Sequence, residues 1–151
     1  MPQSFARLYV HLIFSTKNRE RLITDRVRQS LHSYMATVLQ NFGSPPVLIN
    51  SVEDHVHILF ELGRTAAVSH AVEEVKTTSS SKWIKTQGGE FARFAWQSGY
   101  GAFSVSESIV RTVRDYIANQ REHHRVKSFQ EEYRTFLEKH GLTFDEQYVW
   151  D

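Results

Sequence analysis

Eight consecutive residues, His55-Val56-His57-Ile58-Leu59-Phe60-Glu61-Leu62, alternate almost strictly in character. In an extended chain Val56, Ile58, Phe60 and Leu62 fall on one side, and His55, His57, Leu59 and Glu61 on the other. A segment of this kind fits a strand with one face on a core and the other free to carry function. Glu53-Asp54 before it suits a tight turn, so residues 47–52, which follow Pro45-Pro46, pair with it as a hairpin. Residues 5–15 are rich in β-branched and aromatic side chains and read as a further strand. Thr24 caps a helix running to about Asn41, whose Val27, Leu31, Tyr34, Met35, Val38 and Phe42 follow a 3.6-residue spacing and which Gly43 stops. Val68, Val72, Val75 and Trp83 place a second helix over 66–85, broken by Gln87-Gly88-Gly89. Phe94–Phe103 reads as a fourth strand. Ser104-Val105-Ser106-Glu107 reads as a capping box opening a third helix, and Ser128–His140 is a final amphipathic helix ended by Gly141. The order βαββαβ plus C-terminal helices predicts an α+β, ferredoxin-like (RRM-like) fold. It has a four-stranded antiparallel sheet, helices on one face and an open platform on the other.

The 151 residues suit a single domain over 1–151, with the C-terminal helices over about 105–151. Cysteine is absent, which excludes disulfide scaffolds, zinc–thiolate sites and cysteine nucleophiles. The formal charge of +1 means that any nucleic-acid binding must rest on local charge. No apolar run approaches the roughly 18 residues of a membrane span, and no cleavage site follows the early apolar stretch. A soluble intracellular protein is expected.

His55 and His57 point the same way from one strand, about 6.5–7 Å apart at their bases. They are either a pair of surface histidines or two ligands of one metal ion that still needs a third. Tyr116 and Gln120 are four residues apart on the third helix, some 40° apart around its axis. They are either an edge tyrosine with a solvated glutamine, or a nucleophile with a neutral oxygen ligand. A tyrosine hydroxyl, with a pKa near 10, needs activation for the second role.

Four segments, His11–Arg19 (HLIFSTKNR), Asp54–Leu59 (DHVHIL), Trp96–Val105 (WQSGYGAFSV) and Tyr116–Gln120 (YIANQ), run through the chain in order. Together they resemble the HUH single-strand endonucleases. The likeness is to the single-tyrosine, TnpA-type transposases of small hairpin-ended insertion sequences and their REP-associated relatives. The resemblance implies that His55, His57 and Gln120 bind a divalent ion, Mg²⁺ or Mn²⁺, and that Tyr116 is the nucleophile. It implies cleavage and strand transfer of single-stranded DNA through a 5′-phosphotyrosine link at hairpin-marked ends. It also implies a homodimer with shared active sites, and a prokaryotic cytoplasmic protein that joins the nucleoid when acting. The same residues would serve a domesticated relative that nicks repeat hairpins. A non-catalytic platform for single-stranded nucleic acid would need neither Tyr116 nor metal. His11, on the first strand, is expected to pack. His123 and His124, adjacent at a helix end, are expected on the surface.

Charge is segregated. Residues 7–28 carry Arg7, Lys17, Arg19, Arg21, Arg26 and Arg28 against Glu20 and Asp25, and residues 76–93 carry Lys76, Lys82, Lys85 and Arg93 against Glu90. Arg7, Lys17, Arg19, Lys76, Lys82, Lys85 and Arg93 are the candidate phosphate contacts, and Ser79-Ser80-Ser81 could add hydroxyl donors. Trp83 and Trp96 either stack bases or sit in the core, and the core reading is preferred for each.

Overall fold

The alternation at 55–62 is realised as the strand β3 (His55–Leu62), which lies inside the sheet rather than at its edge. It pairs antiparallel with β2 (Pro46–Ser51) on one side and β1 (Leu8–Ser15) on the other. β4 (Gly101–Val105) pairs with the far edge of β1, giving the order β2-β3-β1-β4. The computed structural model describes residues 2–151, with the side chains of Ser80 and Ser81 outside the description.

Register decides which residues share a face. His57 lies opposite Ile13, Leu59 opposite His11, and Ile58 opposite Leu12. Leu12, Phe14, Val56, Ile58 and Phe60 therefore form one apolar face. Over it pack α1 (Asp25–Asn41), through Val27, Leu31, Met35 and Leu39, and α2 (Val68–Thr77), through Ala71, Val72 and Val75. This is the ferredoxin-like arrangement that the element order predicts. Thr24 stands at the N-cap position of α1, where its carbonyl accepts from Val27 N and Arg28 N but its side chain makes no cap hydrogen bond, and the helix ends before Gly43, which takes φ +82.

The opposite face is not an open platform. Three further helices, α3 (Val110–Ala118), α4 (Gln120–His123) and α5 (Phe129–Lys139), cover it. Ile13 and Phe103 pack under Phe129, Tyr133 and Leu137, while Leu59 and Val105 pack under Ile117. Each such side chain contributes about 1.5–3 kcal/mol when removed from water, so the C-terminal helices are held by the sheet itself. Ser128 caps α5 by accepting a hydrogen bond from Glu131 N at 3.2 Å.

Three expectations about elements need correction. α2 stops at Thr77, because Thr78 Oγ1 and Ser79 Oγ bond back to the carbonyls of Glu74 and Val75. The chain then loosens into a π-turn over Thr78–Trp83. The fourth strand is shorter than 94–103. Phe94 fills the core edge-on to Trp96, which keeps only an isolated bridge to Thr16, and the ladder with β1 runs over Gly101–Val105 alone. A Cβ at Gly101 would lie 2.7 Å from the Tyr133 ring, so the glycine lets α5 approach the sheet. The capping box at 104–107 does not form. β4 runs through Val105, Ser106 stands at the N-cap position without a side-chain cap, and a 3₁₀ turn over Glu107–Ile109 opens α3.

Candidate active site

His55 and His57 project from β3 into the layer between the sheet and the C-terminal helices. They are 1 % and 0 % exposed, and Glu132, 3 % exposed, comes down on them from α5. Glu132 Oε1 lies 2.9 Å from His57 Nε2, 3.2 Å from His124 Nε2 and 3.5 Å from His55 Nε2. His55 Nε2 and His124 Nε2 are 2.9 Å apart. One donor atom from each of His55, His57, His124 and Glu132 falls within 4.8 Å of all the others.

The outward nitrogens are tied. His55 Nδ1 lies 2.7 Å from Asp54 Oδ1, His57 Nδ1 lies 2.8 Å from His11 Nε2, and His124 Nδ1–H donates to Lys127 O at 2.6 Å. Such outer partners fix the imidazole tautomer and aim the Nε2 lone pair inward. Gln120 Oε1 adds another acceptor, 3.0 Å from His124 Nε2. This concentration of lone pairs is stable only with positive charge at its centre. Despite burial, which acts downward, the Asp54 and Glu132 carboxylates push His55 up to about 9. Burial holds His57 and His11 below their ordinary value. The neighbouring imidazoles hold the Glu132 carboxyl far below the usual carboxylate range, against the upward effect of its burial. Three imidazoles and a carboxylate with fixed outer partners fit a divalent ion.

Tyr116, on α3, donates its hydroxyl hydrogen to Glu132 Oε2. One carboxylate thus joins the tyrosine to the histidine cluster within a single chain. Burial first, and then the Glu132 charge, push the Tyr116 hydroxyl well above its ordinary value, so it is protonated in this arrangement. α3 is held to the sheet by Asn50 of β2, whose Nδ2 donates to Ile117 O at 2.8 Å and Ala118 O at 3.3 Å. Tyr116 and Gln120 do not share one continuous helix. Asn119 turns the chain at φ −98, ψ 24, with its own side chain bonding back to Asp115 O.

The structure therefore brings His55, His57, Gln120 and Tyr116 together and adds His124, Glu132, Asp54, His11 and Asn50. Two expectations for this region are overturned. His123 and His124 are not surface histidines: the His123 ring lies 4.5 Å from that of Tyr116, and His124 belongs to the cluster. They do diverge by about a residue's rotation, but α4 lies across the sheet, so both directions meet site groups. His11 does more than pack, since it bonds His57.

The basic residues lie elsewhere. Among the described residues, none of the seven candidates hydrogen-bonds to the cluster. Lys17, Lys82 and Lys85 are exposed. Arg7 pairs with Glu61 at 3.5 Å and Arg93 with Glu20 at 3.3 Å, while Arg19 lies over the Trp150 ring. Lys76 turns inward, donating to Gln97 O at 2.8 Å and Gly99 O at 2.6 Å above the Phe14 ring, and burial lowers it to about 8. Trp96 is core and bonds Ser79 Oγ, whereas Trp83 is half-buried and stacked on Tyr34.

Comparison with known proteins agrees with this architecture. The chain matches the family described as "Transposase IS200 like" over residues 4–120. It is 24 % identical over 122 residues to the ISDra2 transposase TnpA of Deinococcus radiodurans, covering 76 % of this chain and 84 % of that protein. Its fold is similar to the 1.90 Å crystal structure of a candidate transposase from Deinococcus radiodurans R1, with a TM-score of 0.62 and 22 % identity. That match covers 80 % of this chain and 95 % of the other. It is also similar to a REP-associated tyrosine transposase bound to a REP hairpin. There the TM-score is 0.59 at 15 % identity, over 82 % of this chain and 73 % of that one. The chain belongs to the IS200-like transposase family, so its class is that of the DNA transposases. Among the described residues no helix is long and apolar enough to cross a membrane.

Proposed function

We propose that this protein cleaves and rejoins single-stranded DNA at hairpin-marked ends, with Tyr116 as nucleophile and a divalent ion held by the histidine cluster. The observation that carries the reading is the Glu132 carboxylate, which touches the imidazoles with one oxygen and the Tyr116 hydroxyl with the other. His55, His57, His124 and Glu132 would hold the ion, with Gln120 adjoining. When bound, the ion supplies a Lewis acid that polarises a phosphate oxygen and orients the group. The nitrogen-rich donor set favours Mn²⁺ over Mg²⁺ by softness.

This chain's own residues do the rest. Asp54, His11 and the Lys127 carbonyl hold the imidazoles in place. Asn50 fixes the height of α3, and Glu132 holds the Tyr116 oxygen beside the cluster and receives its hydroxyl hydrogen. Tyr116 oxygen bonds to phosphorus as the bond to the 3′-oxygen breaks, leaving a 5′-phosphotyrosine link and a 3′-oxygen that takes a proton from solvent to become a hydroxyl. Attack by another 3′-hydroxyl reverses the step. All these groups belong to one chain, which supports action of Tyr116 on the ion site of its own subunit. Two copies would work on the two ends of an element without exchanging side chains. The hairpin preference is carried over from the REP-bound relative.

The test is incubation with Mn²⁺ and labelled single-stranded DNA from the flanks of the protein's own locus. A protein–DNA band surviving SDS, and lost with Tyr116→Phe or with EDTA, is the expected result. A band that persists in Tyr116→Phe sinks the reading.

A further inference from the structure

A cavity of about 280 Å³ opens between α3 and α5 on the outer side of Tyr116. Its inner wall is His11, Tyr116, Glu132 and Phe136. The Phe136 ring stands edge-on to His11 at 5.1 Å and to Tyr116 at 5.8 Å, so the wall is aromatic on two sides. Its solvent side carries Thr112, Thr135 and Lys139, all exposed, and Lys127, whose Nζ donates to Thr135 Oγ1 at 3.2 Å. His55 and His57 are buried beneath α5, whereas Glu132 and half-buried Tyr116 border this space.

We propose that this cavity is a single-nucleotide subsite that takes the unpaired base next to the scissile phosphate and holds that nucleotide's outer phosphate on Lys127 and Lys139. The inference rests on the assignment of Tyr116 above and names the substrate feature that its site selects. Size argues for one nucleotide, because the volume lies just below the roughly 300–1,000 Å³ of small-ligand sites and leaves no room for a base pair. Charge argues for the orientation. Glu132 at the inner end repels an anion, and the two lysines at the rim attract one. A flat neutral ring therefore enters first, onto the aromatic wall, and the nucleotide's outer phosphate stays at the rim. A base engaged in a duplex cannot enter, so the cavity selects single strands at the point of cleavage.

The test needs neither cleavage nor the native DNA sequence. The methyl resonances of Thr112, Val113 and Thr135 are followed by NMR while the four deoxynucleoside 5′-monophosphates, and 2-deoxyribose 5-phosphate, are titrated to about 10 mM. At least one nucleotide is expected to shift them saturably, and the sugar phosphate is not. Thr135→Trp, which fills the cavity from its exposed rim, is expected to weaken that binding at least tenfold. Lys139→Glu is expected to weaken it several-fold. The methyls of Ile13 and Leu59 report that each variant keeps its fold. Equal shifts from the sugar phosphate, no shift from any nucleotide, or unchanged affinity in Thr135→Trp would each overturn the subsite. Because the readout is binding alone, failure of the subsite is separable from failure of Tyr116→Phe to abolish the covalent link.

Discussion

Each imidazole of the cluster spends one nitrogen on an outer partner and keeps the other for the centre. The pairing of His57 with His11 is the least expected, since it joins two buried histidines on neighbouring strands. A ligand bound through His57 Nε2 requires the proton on Nδ1, where His11 Nε2 accepts it. His11→Ala should therefore lower Mn²⁺ affinity about 10–100-fold, as loss of an outer partner does elsewhere, in a titration by calorimetry. Unchanged affinity would mean that His11 only packs. Outside the site, His32 bonds Ser51 Oγ at 2.7 Å, and burial, helped by Arg28, lowers it to about 4. The unfolded chain then takes up the proton first as pH falls. Stability attached to His32 is complete above pH 6.5 and lost as the pH drops towards 4, on the order of 3 kcal/mol in all. The urea midpoint of the wild type should fall over that window, and that of His32→Gln should fall less.

At the scale of elements, α3 is positioned by a side chain of β2 as well as by its own Ile117. Asn50 donates to the last carbonyls of the helix, those of Ile117 and Ala118, at the end where intrahelical partners run out. Asn50→Ala should cost about 1–3 kcal/mol of stability and slow covalent linkage, while leaving Mn²⁺ affinity within a factor of two or so, because no cluster residue is touched. Lys76 makes the opposite case. It looks like a phosphate contact in the sequence, yet it clips the 97–99 segment to the core. Lys76→Met should lower the melting temperature and leave the salt dependence of DNA binding unchanged. Lys82→Glu or Lys85→Glu, if these exposed lysines meet phosphate, should each reduce the salt slope by about 1. The first three strands and the first helix were legible because alternation and 3.6-residue spacing are local. The C-terminal layer was not. Its amphipathic pattern is visible at Phe129, Tyr133 and Leu137, but nothing local says that its apolar side lies on the histidine face of the sheet.

At the scale of the whole molecule, the site is a meeting of β1, β3, α3, α4 and α5, spread from His11 to Glu132. The H-x-H pair and the Tyr116–Gln120 spacing were readable because their spacing and order carry the family pattern. His124 and Glu132 lie in a stretch whose residue types are common on any surface helix, so only the tertiary fold reveals them. Gly101 is a partial signal, a glycine inside a strand that marks the close approach of Tyr133. Since Tyr116 and the cluster meet within one chain, mixing Tyr116→Phe with His57→Ala protein should restore no covalent linkage, whereas a side chain shared between subunits would restore it. The most direct measurement is to digest the Mn²⁺-dependent DNA adduct with trypsin and locate the attached nucleotide by mass spectrometry. Attachment through a 5′-phosphate to Tyr116 is the predicted result. Attachment to any other residue, or an adduct still formed by Glu132→Ala and His57→Ala at the wild-type rate, would contradict it.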